Sequence, residues 1–165
     1  MRLFISINFD KKTTDLLQDL QAELQARGIR GNYTRPENLH LTLAFIGEYG
    51  NPDYILDILE TIPFEPFTVR LESLSYFRDM IFADISDCPP LEKTVRKLRR
   101  ALAEKDIPFD RKKFLPHITL VRKAVCRDGR PLLPLVEPPW ETKIDRISLM
   151  RSERGKKGMI YTELG

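Results

Sequence analysis

Two short stretches half a chain apart, LHLTL at residues 39–43 and LPHITL at residues 115–120, hold both histidines of this 165-residue chain. His40 and His117 are each followed by one branched aliphatic residue, then Thr, then Leu. Thr occupies about one position in sixteen, so both histidines acquiring it at +2 by accident is of order 1 in 250, and the shared Leu at +3 lowers that further. The frame extends beyond the motifs. At an offset of about 78 residues Phe4 meets Phe82, Leu17 meets Val95, Leu20 meets Leu98, Leu24 meets Leu102 and Ile29 meets Ile107, and after a one-residue deletion His40 meets His117. Self-similarity at a fixed offset restricts a fold more than any single element does, because both copies must bury the same face. The expected arrangement is a pair of strand–helix–strand units, residues 2–46 and 80–123, packed about a pseudo-twofold axis within one domain over 1–165.

The local patterns fit that plan. RLFISINF (2–9) is rich in β-formers and reads as a largely buried strand. TTDLLQDLQAELQAR places Leu16, Leu17, Leu20 and Leu24 on one helical stripe, with Gly28 as its stop. NLHLTLAFIG reads as a strand, and NPDYILDILETI as a short helix capped by Asn51 with Pro52 in its first turn. FTVRLESLSYF and MIFADI are strand-like across a tight Arg78-Asp79 connection. LEKTVRKLRRALAEKD repeats the helical stripe, and HITLVRKA is again a strand. The Pro-rich run 126–139 reads as a long loop. KIDRISLMRSE and GMIYTEL form a closing hairpin across Arg154–Lys157.

Residues two apart on a strand share a face. His40 with Thr42, and His117 with Thr119, therefore point one way, while Leu41, Leu43, Ile118 and Leu120 point into the core. Bringing the two strands together lines one cleft with two imidazoles and two hydroxyls. Two imidazoles with unperturbed pKa values near ~6.5 can divide general acid and general base work. Two threonine hydroxyls can donate to the non-bridging oxygens of a phosphate between them, an arrangement suited to in-line attack at phosphorus. A single strand histidine is usually a hydrogen-bonded core residue; the paired frame is what lifts these two above that reading. Two histidines supply too few protein ligands for catalytic zinc, and neither motif contains Asp or Glu, so no metal is expected.

A net charge of +3 fits a partner carrying a few phosphates better than a non-specific coat on duplex DNA. Cys88 and Cys126 lack disulfide or metal spacing, which points to a reducing, cytoplasmic setting. The N-terminal apolar run is too short for a signal peptide, and no run is long enough to cross a membrane as a helix.

Paired HLTL and HITL, the opening RLFISI, the run RPENLHLTLAFIGE, the continuation PHITLVR and the ending ISLMRSE…GMIYTEL together resemble the two-histidine phosphoesterase superfamily. The likeness spans the whole chain and is nearest to the RNA 2′,3′-cyclic phosphodiesterase branch, also called LigT or 2′-5′ RNA ligase. The resemblance implies an α+β, bilobal fold with two antiparallel sheets and flanking helices around a central cleft. It implies hydrolysis of RNA 2′,3′-cyclic phosphate ends to 2′-phosphates without cofactor or metal, by a monomer acting on RNA. His40 would be the proton donor and His117 the proton acceptor, a division that the near-symmetric sequence does not itself supply. Thr42 and Thr119 would hold phosphate oxygens, and Arg122 matches an arginine that commonly follows the second motif. On a continuous strand Arg122 would face away from His117, since five is odd, so a strand end or bulge must redirect it.

Tyr33 stands where this branch often carries an aromatic, and a base could stack on it. Phe4 and Arg35 are similar candidates for RNA contacts. Lys112 and Lys113, with Arg151, Arg154, Lys156 and Lys157, are candidate basic rims. Alternative activities on the same residues are 2′-5′ ligation and hydrolysis of a small cyclic nucleotide, and the non-enzymatic alternative is an RNA- or nucleotide-binding module.

Overall fold

The computed structural model describes residues 1–127, 129 and 131–165. Helix α1 (Lys11–Ala26) begins two residues before the expected run that opens at Thr13, because Asp10 accepts a hydrogen bond from the Thr13 amide at 2.9 Å. It ends where expected. Gly28, at φ +83°, donates to Gln25, and Ile29 donates back to Leu24 at 3.1 Å, closing the last turn. Helix α3 (Pro89–Glu104) closes in the same way, with Asp106 at φ +56° in place of glycine and Ile107 donating to Leu102 at 2.9 Å. Helix α2 (Pro52–Glu60) is capped by Asn51, whose side chain accepts from the Tyr54 amide at 3.2 Å.

Among the described residues nine strands form two antiparallel sheets. They are β1 (Arg2–Asn8), β2 (Arg30–Tyr33), β3 (His40–Glu48), β4 (Phe67–Phe77), β5 (Met80–Ile85), β6 (His117–Val125), β7 (Trp140–Ile144), β8 (Ser148–Gly155) and β9 (Gly158–Glu163). One sheet has the order β3-β1-β8-β9, the other β2-β6-β5-β4-β7. The architecture is the expected α+β fold with two antiparallel sheets and flanking helices.

The halves are interleaved. Strand β2, from the first half, lies beside β6 of the second half, and the Thr34 amide extends that contact by donating to Leu120 at 2.9 Å. In return, the Asp110 amide donates to Phe45 on β3 at 2.8 Å. Both sheets and all three helices share one cluster of buried side chains, from Leu3, Ile5 and Ile7 through Leu41 and Leu43 to Ile118 and Leu120.

Two sequence expectations need correction. KIDRISLMRSE is not one strand: Trp140–Ile144 pairs with β4 in one sheet, and after Asp145–Ile147 the chain enters the other sheet at Ser148. Its burial explains the error. Thr142 and Ile144 alternate inward, but Ser148, Leu149 and Met150 are buried in succession, so no single period spans the run. Strand β2 has no counterpart among the sequence expectations, because RGNY is short, largely exposed and contains a glycine. The expected loop 126–139 contains no helix or strand among the described residues; Asp128 and Arg130 lie outside them.

Candidate active site

Each motif strand begins at its histidine and carries a bulge after its threonine. On β3, Ser6 pairs with Thr42 and Ile5 with Ala44, leaving Leu43 as the extra residue. On β6, Phe82 pairs with Thr119 and Ile81 with Val121, leaving Leu120 as the extra residue. An extra residue resets which face the following side chains take. Leu43 with Ala44, and Leu120 with Val121, are consecutive and both buried, and Arg122 is thereby returned to the face of His117 and Thr119. Its counterpart on β3 is Phe45, an apolar ring with the Arg2 guanidinium 5.2 Å from its centroid.

The two imidazoles are oriented alike. His40 Nδ1 lies 2.6 Å from the Asn38 carbonyl and His117 Nδ1 lies 2.6 Å from the Leu115 carbonyl. A carbonyl only accepts, so each Nδ1 carries a proton and donates it, and each ring keeps Nε2 for chemistry. The Thr42 hydroxyl donates to His40 Nε2 at 2.9 Å, so an incoming anion must open this pair to engage either group. Aromatic rings support both imidazoles: Phe82 at 4.5 Å from His117, and Phe4 at 5.0 Å and Tyr161 at 5.2 Å from His40.

Their surroundings differ. His117 is exposed, whereas His40 is half-buried. Burial holds the His40 pKa below the usual imidazole value; the Asn38 carbonyl opposes this, and the positive charges of Arg122 and His117 push it down further. Arg122 and His117 thus act electrostatically on His40 across the seam where β3 touches β6. Beside that seam a groove of about 560 Å³ is lined by Tyr33, Arg35, His40, Arg122, Lys157 and Tyr161, among others.

The structure brings His40, Arg122, Tyr33 and Arg35 to one groove, and it sets Thr42 and Thr119 on the histidine faces of their strands. Tyr33 is tethered, its hydroxyl donating to the Ile29 carbonyl at 2.7 Å, which leaves the ring at the groove wall. Arg35 donates to the Met159 carbonyl at 2.5 Å, and the Asn38 side-chain amide does so at 2.9 Å, fixing the start of β9. Phe4 is only 4% exposed and packs under His40 and Tyr161, so its ring supports the imidazole and offers no face to a nucleobase. Lys112 and Lys113 do not line this groove, whereas Lys157 does. Sequence reasoning missed Tyr161 and Asn38, which lie far from either motif or outside its frame. It also missed the support role of Phe82, although the overlay of Phe82 on Phe4 was a signal for it.

The family profile described as the 2′-5′ RNA ligase superfamily matches residues 9–156. A Thermus thermophilus protein named RNA 2′,3′-cyclic phosphodiesterase is 31% identical, with 99% of this chain and 88% of that protein covered. A Thermotoga maritima protein of the same name is 28% identical, over 99% of this chain and 93% of that protein. Among solved structures, a Thermus thermophilus protein superposes with a TM-score of 0.80 at 31% identity, covering 100% of this chain and 96% of that one. Escherichia coli LigT complexed with 3′-AMP superposes with a TM-score of 0.84 at 23% identity, over 99% of this chain and 95% of that one, a likeness of fold. With its paired motifs, its two sheets and this match over nearly all its length, the chain belongs to the 2′-5′ RNA ligase superfamily.

Proposed function

We propose that the chain is a phosphoric diester hydrolase that opens RNA 2′,3′-cyclic phosphate ends to 2′-phosphomonoesters through its two histidines, without metal. The observation that carries this reading is the matched pair of imidazoles, each with Nδ1–H held by the carbonyl two residues before it, so that Nε2 is the reacting nitrogen in both, that of His40 once its Thr42 contact opens. The names of the full-length relatives support the substrate class. The named groups all come from one chain, so the reading needs no second subunit.

In the proposed reaction His117 Nε2 takes a proton from water as the oxygen attacks phosphorus, and the P–O3′ bond opposite breaks. His40 Nε2–H delivers a proton to the departing 3′ oxygen. Thr42, Thr119 and Arg122 hold the non-bridging oxygens, whose charge they stabilise as the bonds reorganise. The free protein poses a difficulty for the donor role, since burial and Arg122 both disfavour the His40 imidazolium. A phosphodiester anion beside the ring acts the other way and favours the charged form. Substrate binding therefore prepares the acid.

The test is a short RNA ending in a 2′,3′-cyclic phosphate, incubated with EDTA and resolved from its products. The expected product is the 2′-phosphate, and His40→Ala or His117→Ala slows turnover by at least ~10²-fold. The residual rate of His117→Ala assigns the remaining role: it falls with rising pH if His40 donates and climbs if His40 accepts. A parent that holds the RNA without turning it over, matched by both alanine variants, would make the chain a binding module. Ligation is the second reading, favoured by the family description. It uses a 5′-hydroxyl in place of water with the same two proton transfers, from the attacking hydroxyl to His117 and from His40 to the departing 3′ oxygen, and the same assay with a second RNA end reports it as a longer product.

A further inference from the structure

The bulges that set the site expose a carbonyl to the interior, and each is met by a helix side chain from the opposite half of the chain. Gln21 on α1 is 7% exposed. Its Nε2 donates to the Thr34 carbonyl at 2.8 Å and to the Leu120 carbonyl at 3.0 Å. Arg99 on α3 does the same in mirror sense. Its guanidinium donates to the Lys112 carbonyl at 2.7 Å and to the Leu43 carbonyl at 3.2 and 3.4 Å. Gln21 and Arg99 stand 78 residues apart, as do Thr34 and Lys112, while Leu43 and Leu120 stand 77 apart. The offsets are those that relate the two histidines and the two halves.

Resting on the proposed activity, we infer that Gln21 and Arg99 are positioning residues that set the spacing of the two imidazoles and of Arg122 across the seam. Each ties two things that chemistry needs in register. One is the crossover of its own half: Thr34 leads into Asn38, whose carbonyl orients His40, and Lys112 leads into Leu115, whose carbonyl orients His117. The other is the bulge of the partner half: Leu120 sits between Thr119 and Arg122, and Leu43 directly follows Thr42. A donor that spans both fixes one motif strand relative to the segment that aims the other histidine. Gln21 also shares the Leu120 carbonyl with the Thr34 amide, so β6 and the Tyr33–Arg35 wall of the groove are joined at one oxygen. The side chains differ, an amide in one half and a guanidinium in the other, but each reaches two backbone carbonyls from its helix. Misplacement of reacting groups by about 1 Å can cost on the order of 10²-fold in rate, which is the scale on which such anchors matter.

The experiment uses the full chain carrying Gln21→Leu, Arg99→Leu and Arg99→Gln, the last installing the counterpart residue. Should Gln21→Leu fail to fold, Gln21→Asn keeps the amide but withdraws it by one methylene and carries the same expectation. Kinetics on the cyclic-phosphate RNA are run well below each variant's unfolding midpoint. The leucine variants are expected to lose at least tenfold in kcat/KM while unfolding cooperatively, Gln21→Leu mainly through KM because it releases Arg122. Arg99→Gln, whose amide nitrogen stands where Arg99 Nε meets the Leu43 carbonyl but stops short of Lys112, is expected between Arg99→Leu and the parent. A second readout does not depend on turnover. With only two histidines, imidazole ¹⁵N spectra report both rings, and inorganic phosphate is expected to shift both with one dissociation constant in the parent. In the leucine variants the two rings are expected to respond with separate, weaker constants. Folded leucine variants with parental kinetics and a single phosphate constant would overturn the inference, as would Arg99→Gln failing as badly as Arg99→Leu. A parent that does not hydrolyse RNA sinks the proposed activity alone, since the phosphate titration still decides the positioning role.

Discussion

Arg122 gives the sharpest test of how the bulge on β6 governs the site. Without the extra residue at Leu120, Arg122 would project from the face opposite His117, and its removal would be a surface change of about ±0.5 kcal/mol or less. With the bulge, the guanidinium lines the His40 groove and contributes to holding down the His40 pKa. A charge-assisted contact to a phosphate oxygen is worth about 1.5–3 kcal/mol, so Arg122→Ala should lower kcat/KM by roughly 10- to 10²-fold. Arg122→Lys should recover part of this, since a point charge replaces a fork. The same substitution has a second consequence at a different atom. Losing the positive charge removes one cause of the His40 depression, so the His40 ring should titrate at higher pH in Arg122→Ala, read from its imidazole ¹⁵N shifts. The two effects have opposite value for catalysis, because the weaker phosphate grip comes with an easier imidazolium. An Arg122→Ala protein with parental kcat/KM and an unmoved His40 titration would refute the parity argument outright.

His40 also leaves a mark on stability. Its folded pKa is lowered by burial, so as pH falls below about 6.5 the unfolded chain takes up this proton first, and stability is lost toward the folded value. Denaturant midpoints of the parent should drop across that window, and His40→Asn should lack this component of the slope. Phe82→Leu removes the edge contact on His117, and at about 0.5–1.5 kcal/mol for such a pair the expected fall in kcat is about two- to tenfold, with no change in melting cooperativity. Leu41, 1% exposed on the back of the first motif, should cost about 2–5 kcal/mol as Leu41→Ala in urea unfolding, against about 0.5 kcal/mol or less for Leu132→Ala, which is 84% exposed.

The sequence carried the site further than the sheet order. That His40 shares a strand face with Thr42, and His117 with Thr119, was legible because strand alternation is local. The helices were legible for a similar reason: leucine stripes, Asn51 before Pro52 and a glycine stop are signals within a few residues. What escaped was whatever depends on partners distant in the chain. β2 is a strand only because β6 lies beside it. β7 separates from β8 because Ile144 is paired with Phe67 while Ser148 is paired with Ser6. Arg122 lay between these cases. Its parity showed that a bulge was required, but the bulge itself follows from the register between β5 and β6, which no local pattern encodes.

In the proposed mechanism, two copies of one motif create a chemical problem. Imidazoles in identical surroundings would have equal affinities for a proton, and neither would be favoured as acid or base. A site that divides acid from base must make the surroundings of its two imidazoles unequal, and a few side chains do so here. Arg122 on β6 has Phe45 on β3 as its counterpart, so a guanidinium is supplied from one half only. Asp84, held by the hydroxyls of Ser73 and Ser75 at 3.1 and 2.6 Å, stands opposite His117 in the ladder where Asn8 stands opposite His40. Tyr161 adds a second ring to His40 alone. The backbone carbonyls that orient Nδ1 remain matched at 2.6 Å in both halves. Orientation is thus matched in the two halves, while the His40 pKa is lowered first by burial and further by Arg122, a guanidinium that only one half supplies.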